Sequence, residues 1–160
     1  MLDRLCVVLA TGLGISYIAL PAVEGRKWTG SGFMGTVEGI FLWFLLPAAP
    51  GPYWAVVAAA VIAACWICGR ADRALRTHDN PRIVLDEVVG VWVAAAGLPR
   101  QARPALLAFA LFRVFDSVKL PPYRCLERLP GGIGVVADDL GAGLVASLAA
   151  RWILGRWGWA

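Results

Sequence analysis

Phe112–Gly143 reads FRVFDSVKLPPYRCLERLPGGIGVVADDLGAG. An apolar run carries Asp116 close to its end, Pro121 and Pro122 stop it, and a second apolar run follows Gly131 and Gly132 with Asp138 and Asp139 side by side. Proline cannot continue a helix and glycine supplies the turn into the next one. The stretch therefore reads as two helices joined at one end, with all three aspartates at that end. Carboxylates set inside apolar runs need a physical reason.

Composition names the solvent. The chain has 160 residues, 59% hydrophobic and only 16% charged, with a mean hydropathy of +0.68. A soluble domain carries about 25% charge, so an integral membrane protein is expected. Only 11 acidic residues occur, which makes each one informative. The net charge of +4 is spread between apolar segments without a basic run. These bases read as loop anchors and lipid contacts, and nucleic acid is excluded as a partner. Cys65 and Cys68 form a C-x-x-C, but inside the apolar run AVIAACWIC and with His78 the single histidine. They read as buried small side chains rather than a zinc site.

Outward from the opening stretch, the spacing predicts an all-α, multi-pass membrane protein with a compact bundle of helices. Leu5–Val23 is free of charge for 19 residues, about 28 Å as a helix and close to the hydrocarbon thickness. It reads as a retained membrane helix rather than a signal peptide. Glu24–Glu38 reads as a polar, glycine-rich link. Gly39–Gly69 has no charge over 31 residues, and Pro47, Pro50 and Pro52 divide it into a short helix and a longer one. Arg70–Arg82 reads as a loop. Ile83–Gly97, Ala105–Val118 and Ile133–Leu154 read as further helices. The whole chain, 1–160, reads as a single membrane-embedded domain whose core is 30–154.

This order of helices brings Asp86 and Glu87, at the start of one, to the same end as Asp116, Asp138 and Asp139. Arg70, Arg73, Arg76, Arg82, Lys119, Arg124 and Arg128 lie in the loops there, which points that end to the cytoplasm. The hairpin topology puts the N-terminus on the far side. A lone ionised acid at membrane depth costs roughly 2.5–3.5 kcal/mol. Protonation, paired bases or a divalent cation could neutralise five of them. Hard oxygen ligands suit magnesium, and Arg113, Lys119 and Arg124 nearby suit a phosphate, so metal-assisted phosphoryl chemistry is expected. Arg113, Asp116 and Lys119 are spaced by three and share a helix face.

Three stretches carry a resemblance. IVLDEVVG (Ile83–Gly90), FRVFDSVK (Phe112–Lys119) and GGIGVVADDLGAG (Gly131–Gly143) resemble, in order and spacing, motifs of the phosphatidylglycerophosphatase A family. GSGFMGT (Gly30–Thr36) is similar to its glycine-rich element, with Ser31 and Phe33 departing from it, and Glu38 has no clear counterpart. The resemblance implies a Mg2+-dependent lipid phosphatase of the bacterial inner (cytoplasmic) membrane. It implies hydrolysis of phosphatidylglycerophosphate to phosphatidylglycerol and phosphate in phospholipid biosynthesis, with the phospholipid substrate and membrane lipids as partners. Other phosphatase designs fit worse. No D-x-D, no C-x5-R, no P-loop and no pair of histidines occurs. The alternative of another class is a non-enzymatic membrane protein or a cation or proton transporter using the acid cluster, although no internal repeat supports a transporter.

Overall fold

The structure, a computed structural model, describes residues 1–19, 30–76, 80–118, 125–126 and 129–156. Among these the chain is all-helical: α1 (Leu2–Ala10), α2 (Ser16–Ala19), α3 (Ser31–Trp43), α4 (Pro50–Leu75), α5 (Leu85–Ala94), α6 (Ala102–Val118) and α7 (Gly132–Arg156). The Pro47–Pro52 break falls where the sequence places it. Pro50 opens α4, where its missing N–H is not needed. α4 closes at Arg76 in the left-handed conformation, φ 55°. Gly131, φ 64°, makes the turn that admits α7.

Two boundaries differ from the sequence expectation, both because tertiary packing extends a helix through polar residues. GSGFMGT is the first part of α3 rather than a link. RADRAL is the last part of α4 rather than a loop. The N-terminal run differs more. α1 ends at Ala10, a turn through Gly12, Leu13 and Gly14 takes positive φ at all three, and α2 restarts at Ser16. The charge-free run is therefore not one continuous helix. Residues Leu20–Val23 lie outside the described residues. Asp3 pairs with Arg70 at 2.5 Å near the end of α4, and Ala10 O accepts from Val84 N just before α5. The N-terminus thus sits at the acid-bearing end, not on the far side.

α5 and α7 are the centre of the bundle. A Cβ on Gly143 would collide with Gly90 O, and one on Gly90 would sit 2.8 Å from the Phe112 ring and 3.0 Å from Asp139 O. Val91, Ala94, Phe112, Ala142 and Ala146 fill the space around this contact. α3 approaches α5 in the same way, with Gly35 against Val84 and Gly39 against Val88. Small residues let backbones meet where lipid gives helices no hydrophobic reason to associate.

The outside is apolar. Phe33, Val37 and Phe41 form an exposed stripe at four-residue spacing on α3, and Leu144, Leu148 and Trp152 form another on α7. A soluble surface would carry charge on such faces. α4 and α7 are long and apolar enough to cross a membrane, two such helices among the described residues. The chain is a membrane protein by these faces and helices.

Gly143→Ala is expected to destabilise the protein by roughly 1–3 kcal/mol, because the neighbour it meets is backbone. Gly155→Ala, on the same helix with open space around it, is expected to be neutral or stabilising by up to about 1 kcal/mol. Thermal unfolding in detergent reads both, and equal effects would contradict the packing described.

Candidate active site

The loop before α5 is pinned from α3 and α4 and braced by a bond of its own. Ser31 Oγ donates to Pro81 O, Asn80 N donates to Asp72 Oδ1, and Arg82 N donates to Asn80 Oδ1. This fixes where α5 begins, and Asp86 and Glu87 occupy its first turn. Acids are favoured there by the positive end of the helix. Asp139 lies two turns into α7, facing them across the Gly90–Gly143 contact.

One oxygen from each of Asp86, Glu87 and Asp139 lies within 4.8 Å of the others. Asp86 and Asp139 are buried. Glu87 is partly buried as a residue, yet its Oε2 is enclosed and has no hydrogen-bond partner. Asp116 adjoins the group. It pairs with Arg113 at 2.9 Å. Arg113 also donates to Thr36 Oγ1 at 3.4 Å. Asp138 is buried but is not among the three whose oxygens converge. On α7 it stands about 100° around the helix axis from Asp139, and its oxygens fall outside the converging group. Lys119 and Arg124 lie outside the described residues. Glu38 is elsewhere, with its enclosed Oε2 against Gly12.

Two contributors were not singled out from the sequence. Gly32 lets α3 close over the group, since a Cβ there would collide with Glu87 and come within 3.1 Å of Arg113 Nη1. Thr36, one turn on, holds Arg113. Both lie in the GSGFMGT stretch, whose i, i+4 spacing was the available signal. Asp72, buried and holding Asn80, was hidden among arginines that read as a loop.

The acids suppress one another's ionisation. α5 is too short to cross a membrane, and its two acids show the effect. Burial, then the neighbouring Glu87 and Asp139, pushes Asp86 well above the ordinary carboxylate range. Burial also raises Glu87, to about 7, against the opposing pull of the Asp86 hydrogen bond and the Arg113 charge. The group is all-oxygen and crowded, among the described residues it has Arg113 alone as a neighbouring positive charge, and one enclosed oxygen lacks a partner. Opposite ligands of a small divalent cation are about 4 Å apart, which the 4.8 Å spacing accommodates. The residues fit a hard metal ion.

The phosphatidylglycerophosphatase A family matches residues 8–154. A Bacteroides thetaiotaomicron protein, provisionally named a phosphatidylinositol-3-phosphatase, is 34% identical over 158 residues, 93% of this chain and 95% of its own. Phosphatidylglycerophosphatase A of Haemophilus influenzae is 34% identical over 141 residues, 87% and 82% of the two chains. Its Escherichia coli counterpart is 30% identical over 129 residues, 79% and 75%. No solved structure matches. The protein is therefore a phosphoric monoester hydrolase, an enzyme class whose charged substrate accounts for carboxylates and a guanidinium in an apolar bundle. It belongs to the phosphatidylglycerophosphatase A family, which sets aside the transporter and the non-enzymatic membrane protein.

The raised Glu87 fixes the sign of a pH effect. In metal-free protein the fold favours the protonated carboxyl, so its stabilising contribution is complete below about 4.5 and is lost as pH rises through about 7. A cation competes with that proton. Adding a divalent cation should therefore raise the melting temperature more at pH 8 than at pH 5.5, and Glu87→Gln should abolish most of the difference. Equal shifts at both pH values would contradict the metal reading.

Proposed function

We propose that the enzyme hydrolyses phosphatidylglycerophosphate to phosphatidylglycerol and phosphate, in phospholipid biosynthesis, with Mg2+ as its metal. The observation that carries this is the convergence of Asp86, Glu87 and Asp139 oxygens within 4.8 Å beside the Arg113–Asp116 pair. Asp86, Glu87 and Asp139 would hold the ion directly, while Asp116 and Asp138 support them. When bound, Mg2+ supplies charge neutralisation and Lewis-acid polarisation of the phosphoryl oxygens.

The protein's own groups do the rest. Arg113 presents a fork of N–H donors suited to phosphate oxygens, and its ties to Asp116 and Thr36 fix the direction of that fork. Lys119 and Arg124 follow on the same side of the sequence and would add positive charge for the phosphate. A carboxylate of the group accepts the proton from the attacking water. The lipid glycerol would face the exposed apolar surface of α3 and α6, keeping the acyl chains in the membrane.

The whole chain would form one domain, with 30–154 as its catalytic core, in the bacterial inner membrane. α4 and α7 would cross it, and the shorter helices would complete a multi-pass bundle. Arg70, Arg73, Arg76 and Arg82 flank the acid end, and the α6–α7 connection adds Lys119, Arg124 and Arg128. That bias directs the active site to the cytoplasm.

The Bacteroides thetaiotaomicron relative favours a second reading, a phosphoinositide substrate. Its 3-phosphate is also a monoester on a lipid headgroup, so the same acid and arginine set would serve.

Purified enzyme is expected to release phosphate faster from phosphatidylglycerophosphate than from phosphatidylinositol 3-phosphate, and to stop under chelation. Asp116→Asn should lower kcat on the order of 10–100-fold, as for a residue that orients metal ligands, and Asp86→Asn, Glu87→Gln and Asp139→Asn should lower it further. Full activity under a strong chelator would overturn the metal assignment, and the opposite substrate order would favour the second reading.

Orientation has its own test, in protein stripped of native cysteines. A cysteine at Arg76 should react with an impermeant thiol reagent from the cytoplasmic side, and one at Ala48 from the other. Labelling of both from the same side would refute the proposed crossing.

A further inference from the structure

A cavity of about 260 Å³ opens at the end of the bundle opposite the acid group. Pro50, Tyr53 and Trp54 at the start of α4 line it, with Trp43, Arg100 and Arg151. Tyr53 stands fifteen positions before Cys68 on α4, about 22 Å along the helix, and Cys68 packs beside Ile83 and Val89 at the acid end. The two regions are separate.

Both arginines are held rigidly and neither has an acidic partner among the described residues. Arg100 donates to Trp43 O and, at 2.9 Å, to Pro47 O, and its guanidinium lies 5.0 Å over the Trp43 ring. Arg151 donates to Ala96 O at 2.6 Å and to Ser147 Oγ at 3.4 Å. A guanidinium carries five N–H donors, so each keeps donors beyond those bonds. Arg100 is partly buried and Arg151 exposed, so both present positive charge and free donors to whatever enters the cavity.

We propose that this cavity is a second anion site, which takes a phosphate group presented by an anionic phospholipid headgroup. Three features select that chemistry. Arginine forks match phosphate oxygens in pairs. The volume equals about eight or nine waters, enough for a phosphate with its glycerol and too small for a whole lipid. The cavity lies where α4 begins and α7 approaches its end, so it sits at a membrane surface, with exposed Trp54 as an interfacial side chain.

The test measures melting temperature in neutral detergent with chelator present, on the full chain. The probes are dihexanoyl phosphatidic acid, dihexanoyl phosphatidylcholine and inorganic phosphate. Phosphatidic acid should raise the melting temperature, phosphatidylcholine should not, and the Arg100→Gln/Arg151→Gln double variant should lose most of the shift. Gln keeps a donor for the carbonyls while removing the charge, and the Lys pair, which keeps the charge but not the fork, should retain more of the shift than the Gln pair. Asp139→Asn should leave the shift intact, which separates this cavity from the acid group. An equal shift with inorganic phosphate at the same concentration supports the anion site and assigns it a soluble source. An undiminished shift in the Gln double variant overturns the proposal. Should that variant fail to fold, photolabelling of the native protein decides. A phosphatidic acid with its reactive group near the phosphate should label residues around Trp43–Trp54 or Gly97–Arg100, and labelling confined to other segments overturns the site.

Discussion

Everything at the acid end depends on how closely α5 and α7 approach. Gly143 has no side chain because Gly90 O stands where a Cβ would be, and Gly90 has none because Asp139 O and the Phe112 ring do. Reciprocal contact of this kind brings two backbones together along a line rather than at a point. Asp139 is one turn before Gly143, and Asp86 is one turn before Gly90. The helical repeat therefore carries the close approach directly to the carboxylates. Larger residues at the contact would part the helices and open the acid group before they affected anything else.

That closeness makes an electrostatic problem. Among the described residues Arg113 is the cation beside the group, and it is already committed to Asp116 and Thr36. Glu87 retains an enclosed oxygen without a donor. In a folded protein such a group is either protonated or completed by a ligand. A phosphatase whose substrate brings still more negative charge has a use for the second option. Under the metal reading proposed above, the repulsion among crowded acids would be a reservoir of affinity for a cation.

The sequence displays this end of the molecule clearly and the rest less so. Asp86, Glu87, Asp116 and Asp139 could be brought together from helix order alone, because in an apolar chain every acid is conspicuous and prolines mark the turns. Asp138 could not be separated from Asp139, since adjacency in sequence hides a rotation about the helix axis. The N-terminal run was misleading for a related reason. Absence of charge is a statement about solvent, not about backbone, and Gly12 and Gly14 permit a turn that hydropathy does not record. Thr36 and Gly32 were obscured by the habit of reading glycine-rich polar stretches as links. In a bundle of close-packed helices, glycine is as much a packing residue as a breaker.

The far end shows how so short a helix as α5 can stop within the bundle. α5 has ten residues against twenty-five for α7, so its last carbonyls have no continuing helix to satisfy them. Buried carbonyls in an apolar setting must find donors. Tyr53 Oη donates to Trp92 O and Arg151 to Ala96 O, from α4 and α7 respectively. Arg100 does the same for Trp43 O and Pro47 O beyond α3. Polar side chains of the neighbouring elements thus stand in for the turns that α3 and α5 lack. Ending these helices early is what leaves space between the longer α4 and α7, and arginine is the side chain that can cap a carbonyl and still have donors to spare. The cavity, its positive lining and its separation from the acid group follow from a single fact, that α3 and α5 start with α7 at the level where the carboxylates meet and stop well short of it.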